Sequence, residues 1–143
     1  MAAFTSKATG NWSASGQTTW NEVGVPGAGD TVTIATGHVI TMTANVTVGT
    51  NPAAVTAANS VLTVNGQLII NTGVTLTLNG SARFGGTTGS NGLFTMQAGS
   101  ALVFDGVTAT LKYRLYLGME DSTTAKMVVS GTSNSHVTIS STD

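Results

Sequence analysis

A chain of 143 residues fits one domain, large enough to bury most of the surface that its unfolded form exposes. Charged residues make up 8 % of it, five basic and six acidic, for a net charge of −1, so no basic stripe exists to grip a nucleic-acid backbone. The absence of cysteine excludes disulfides and thiolate metal sites, and no apolar run approaches the roughly 18 residues that a membrane helix needs.

Low charge does not mean disorder here, because the hydrophobic share is 41 % and the mean hydropathy is +0.23. Thr, Ser, Asn and Gly supply the polar surface where helices would carry Lys and Glu, which points to strands and turns. The first residues, Met1 to Lys7, lack the charged start, apolar run and cleavage site of a signal peptide. The expectation is a chain that neither carries such a leader nor spans a membrane.

Residues 1–30 are predicted to form an irregular N-terminal cap carrying both tryptophans, Trp12 and Trp20, and residues 31–143 to form the strands of the same domain. Apolar residues then alternate with Thr, Ser or Asn: Val32 and Ile34, Leu68 and Ile70, Leu76 and Leu78, Phe94 and Met96, Leu102 and Phe104, and onward to Val137 and Ile139. Period two means half-buried strands, and the glycines between them mark turns. Three stretches of thirteen residues align without gaps, Asp30 to Met42, Gly66 to Leu78 and Gly92 to Phe104. Their columns read Val32/Leu68/Phe94, Ile34/Ile70/Met96, Gly37/Gly73/Gly99, Ile40/Leu76/Leu102 and Met42/Leu78/Phe104. Each unit is strand, glycine corner, strand, which is the signature of a repeat architecture.

The expected fold is therefore all-β, a parallel β-helix in which the columns are core stacks and Gly37, Gly73 and Gly99 occupy corresponding corners. A β-sandwich of short alternating strands remains the alternative. Asn79 and Asp105 lie 26 residues apart and are expected to form structural turns with the glycines that follow them. The stretch Asn51 to Ser60, with Pro52, reads as a lateral excursion from a rung. At the far end, His136 to Ser140 reads as a strand followed by three residues, and the expectation is that this open edge meets a partner.

No catalytic constellation emerges. Two carboxylates flanking a glycosidic bond must stand about 5 to 9.5 Å apart, and Asp30, Asp105, Glu120 and Asp121 fall in different columns or turns. His38 and His136 lack metal-ligand spacing, and His38 follows a corner, where a surface position is expected. No metal, cofactor or enzymatic activity is predicted. The candidate contact residues are Lys112, Arg114 and Tyr116, one face of a strand, together with Trp12 and Trp20, since Tyr and Arg favour interfaces and indoles stack on sugars.

The two tryptophans followed by Val25-Pro26-Gly-Ala-Gly-Asp30, a Thr-Val-Thr-Ile strand and the Gly37-His38 pair resemble the eight-glycine domain family. The later phrases at Val64 to Ile70 and Val129 to Ile139 extend the resemblance over most of the chain. It implies a β-helical module with no agreed catalytic residues, found in phage virion proteins and in cell-surface proteins. The function expected from it is structural: a capsid decoration protein or the base of a tailspike or fibre, trimeric, contacting other virion proteins such as the major capsid protein. A carbohydrate-binding module of an extracellular protein, touching glycans, is the alternative.

Overall fold

Apolar side chains at every second position drive these segments into extended form, with one edge row facing a core and the Thr row facing water. The computed structural model describes residues 1–49, 60–84, 91–107, 115–117, 124–129 and 136–141, with side chains for 1–49, 60–84 and 92–103. Among these residues the protein is all-β, a parallel β-solenoid.

Its strands are β1 (Ala3–Thr5), β2 (Gly10–Asn11), β3 (Thr31–Ile34), β4 (Val39–Met42), β5 (Val46–Val48), β6 (Leu62–Val64) and β7 (Gln67–Ile70). They continue with β8 (Thr75–Leu78), β9 (Ala82–Phe84), β10 (Asn91–Met96), β11 (Ala101–Val107), β12 (Leu115–Leu117), β13 (Thr124–Val129) and β14 (His136–Ser141). Three sheets form the walls, ordered β1-β3-β6-β9-β12, β2-β4-β7-β10-β13 and β5-β8-β11-β14. Each triplet from β3-β4-β5 onward visits the three walls in turn and passes to the next rung. All the strand pairs are parallel.

The core is the set of inward columns. On the first wall Phe4, Val32, Leu62 and Ala82 stand in register, beside Ile34, Val64 and Phe84. The second wall stacks Ile40, Leu68 and Phe94 beside Met42, Ile70 and Met96, and the third places Val48 next to Leu78 and Leu76 next to Leu102. These side chains are all buried. Phe84 and Phe94 join two walls with ring centroids 5.1 Å apart.

The register corrects the expected columns. Gly66 to Leu78 and Gly92 to Phe104 do lie one rung apart, with Leu68 paired to Phe94 and Leu76 to Leu102. Asp30 to Met42, however, spans the first and second walls, whereas the other two stretches span the second and third. Val32 therefore pairs with Leu62 and Ile40 with Leu68. Gly37 turns the chain between walls one and two, and Gly73 and Gly99 turn it between walls two and three, so the three do not share a corner.

The physical reason is a single turn type used at different corners. Gly27–Asp30, Ala35–His38, Asn71–Val74 and Gln97–Ser100 are each closed by a bond from the fourth amide to the first carbonyl, at 3.1, 3.1, 3.1 and 3.0 Å. Each has glycine third, Gly29, Gly37, Gly73 and Gly99, at φ 90°, 83°, 71° and 67°. A local motif that recurs within a rung as well as between rungs defines a corner without saying which one.

Asn79 follows β8 directly, its amide bonded to the Val48 carbonyl at 2.9 Å. Asp105, expected in a turn, lies instead within β11, where the register against β14 shifts between Phe104 and Val107. A shift of this kind absorbs residues without ending the strand. The expected excursion lies outside the described residues, apart from Ser60.

Candidate functional site

Chemistry needs polar side chains free to meet a ligand, so the question is what each polar group in the fold already touches. Asp30 follows the Gly27 turn. Its Oδ1 accepts the Ala2 amide at 2.8 Å and its Oδ2 the Gly27 amide at 3.2 Å, while its carbonyl accepts the Gly49 amide at 2.9 Å. Asp30 thus fastens the start of the chain and the first turn onto β3. The Glu22 carboxylate accepts the Thr5 amide at 3.3 Å, sharing it with Asn21 Oδ1 at 2.7 Å.

His38 is half-buried and not the loose surface residue expected after a corner. Its Nδ1 lies 2.9 Å from Ser6 Oγ and 3.1 Å from the Ser6 carbonyl. A serine beside an imidazole has the composition of a nucleophile and base, but the geometry does not support that use. Ser6 is 3 % exposed, and its Oγ accepts the Ala35 amide at 2.8 Å, so the hydroxyl ties β1 to the turn after β3 and no substrate reaches it. Nothing in the sequence marked this contact, whose partners are 32 residues apart.

The same corner opens into a groove of about 360 Å³ lined by Thr36, Gly37, His38, Val39, Asn65, Gly66, Gln67 and Leu93. It presents amide groups and one imidazole against two aliphatic side chains. Such a lining can hydrogen-bond a small polar group, but it sets no acid opposite a base. Among the described residues no three His, Cys, Asp or Glu side chains gather as a metal site would require.

Side-chain amides close other corners. Asn45 Oδ1 accepts the Thr75 amide at 2.8 Å and Gln97 Oε1 the Thr72 amide at 3.3 Å, bonds that sequence reasoning missed. The signal available was weak: Gln97 opens a glycine turn, and nothing in the sequence singled out Asn45.

Of the candidate contact residues, Trp12 and Trp20 are 1 % and 0 % exposed. Their rings meet edge to face with centroids 5.3 Å apart, and Phe4 meets Trp20 at 6.2 Å. Trp12 Nε1 donates to the Pro26 carbonyl at 3.1 Å and Trp20 Nε1 to the Trp12 carbonyl at 2.9 Å. Both indoles have their apolar faces in the core and their N–H groups satisfied, so neither offers a face to a sugar. Tyr116 stands in β12, in register with Arg83 of β9. Lys112 and Arg114 lie outside the described residues. No protein-family model, curated protein or solved structure matches the chain.

Proposed function

We propose that this chain is a non-catalytic structural module, a β-solenoid that stabilises a virion assembly as a capsid decoration protein or as the base of a tailspike or fibre. It associates as a trimer and contacts other virion proteins such as the major capsid protein. The virion setting rests on the resemblance of the Trp12 to His38 region to eight-glycine domains.

The observation that carries the structural reading is what the polar groups do. Asp30, Glu22, Ser6, His38, Asn45 and Gln97 all bond to backbone or to one another within the solenoid. Residues 1–30 act as its closing element, a reading supported by the burial of both tryptophans in one cluster with Phe4, Ile40, Met42 and Val48. That same burial takes Trp12 and Trp20 out of the set of residues on which a carbohydrate-binding role would draw.

Antibody raised against the chain tests the proposal on purified virus particles. Labelling at a fixed number of copies per particle is expected, and particles that carry none of the chain rule the virion reading out. Light scattering on the isolated chain should give three times 14.4 kDa.

A further inference from the structure

The solenoid advances from rung to rung by parallel pairing alone, yet one antiparallel bridge, Ser6 to Trp20, occurs among the described residues. It stands on the outer edge of β1, the first strand of its wall. There the Lys7 amide donates to the Thr19 carbonyl at 2.9 Å and the Asn21 amide to the Thr5 carbonyl at 3.0 Å. The Thr5 amide is taken by the side chains of Asn21 and Glu22. The Thr19 side chain also lies so close to Gly10 of β2 that a β-carbon at Gly10 would overlap it.

The reversal that brings this segment back is built at Gly16 and Gln17, with φ 75° and 58°. Gln17 is the one non-glycine residue at positive φ among those described, and its Nε2 donates to the Asn21 carbonyl at 2.9 Å. A residue held in a sparsely populated conformation, and bonded to the strip it delivers, marks a purpose-built turn.

We infer that Thr18 to Glu22 is an edge guard directed against a second copy of this chain. The end of a parallel solenoid is a row of unpaired amides and carbonyls over an aliphatic stack, and the surface that fits it best is another end of the same kind. With a net charge of −1, little electrostatic repulsion keeps two copies apart, so the backbone has to do it. The strip satisfies Thr5 and Lys7 and places the Glu22 carboxylate at the edge, although Val23 stays 82 % exposed beside it. Association of this chain with itself therefore uses other surfaces than the β1–β2 end. The inference does not rest on the virion reading.

The chain has no cysteine, so Lys7→Cys at an exposed position beside the guard introduces the sole thiol. Under mild oxidation at tens of micromolar, the chain with its guard intact should form no disulfide-linked dimer. Adding Asn21→Pro removes both the amide that bonds Thr5 and the side chain that takes the Thr5 amide, and a linked dimer should then appear with the strand signal in circular dichroism retained. If that variant unfolds, Asn21→Ala with Glu22→Ala, which frees the Thr5 amide while the backbone bonds of the strip remain, is read in its place, and hydrogen exchange at Lys7 then has to show the strip detached before its dimer yield is counted. Linked dimer with the guard intact overturns the inference, as does a folded guard variant that forms none. A mass above 14.4 kDa without a link at position 7 places self-association elsewhere and leaves the guard standing.

Discussion

A β-carbon on Gly99 would lie 3.8 Å from the backbone nitrogen of Gly73, and the Gly73 amide donates to the Ala98 carbonyl at 3.0 Å, so the two glycine turns sit directly one above the other. This stacking passes the corner between the second and third walls from rung to rung. Nothing lies within 4 Å of the place a Gly73 side chain would start, so space does not dictate glycine there; its φ of 71° does. Gly73→Ala should then cost about 1–2 kcal/mol, the penalty of the left-handed region for an L-residue. Gly73→Asn should cost less, because asparagine tolerates that region. Urea unfolding of both variants checks the order, and equal losses would contradict it.

Gly66 is glycine for a different reason. A β-carbon there would overlap the carbonyl oxygens of Ala35 and His38, which are backbone and cannot swing aside. Gly66→Ala should therefore destabilise by about 1–3 kcal/mol through overpacking, whereas Gly27→Ala, which meets nothing within 4 Å, should be neutral or slightly stabilising. A Gly66→Ala protein with an unchanged unfolding midpoint would mean that the two rungs stand farther apart than this.

Leu76 and Thr77 are adjacent in β8 and face opposite ways, Leu76 fully buried and Thr77 half-exposed between Thr47 and Val103. Leu76→Asp puts an unpaired charge into the core, at a cost of several kcal/mol against a total stability of about 5–15. It should abolish the folded strand signal, while Thr77→Asp should fold and lose under 1 kcal/mol or so. Similar damage from the two would refute the inward and outward assignment.

How far the sequence was legible follows from these same positions. Leu76 inside and Thr77 outside could be read from alternation alone, because period two is a property of one strand. That Gly73 and Gly99 share a corner could be read as well, since the segments around them match for thirteen residues at one rung spacing. Gly37 could not be placed, because its turn is chemically the same as theirs, while the next rung passes the same corner at Asn65 and Gly66, whose amides bond the Ile34 carbonyl and which carry no turn of that type. The tryptophans illustrate a second limit. A large apolar ring with one N–H suits a core and a sugar platform equally, and only the Pro26 and Trp12 carbonyls that receive those N–H groups decide between them.

With both indoles buried, oligosaccharides should leave the tryptophan emission unchanged, and iodide should quench it little until the chain unfolds. Trp20→Ala should cost about 3–5 kcal/mol, as removal of a large core aromatic does, and Trp20→Phe less. A saccharide that shifts the emission of the folded protein would contradict the placing of both indoles in the core.

Asp30 offers the sharpest separation between a fold role and a chemical one. Its two carboxylate oxygens each take a backbone amide, from Ala2 and Gly27, and no other acid stands with it in a metal-binding group among the described residues. Hydrogen bonds to a charged acceptor contribute more than neutral ones, and a half-buried site loses part of that to solvent, so Asp30→Ala should cost about 2–3 kcal/mol. Asp30→Asn keeps one acceptor oxygen and should cost roughly half as much. Hydrogen exchange locates the effect: in Asp30→Ala the amides of Ala2 and Gly27 should lose protection first, while those of β7 and β8, in the next rung, hold until global unfolding. Unchanged protection at Ala2 and Gly27 would show that the carboxylate does not fasten the start of the chain.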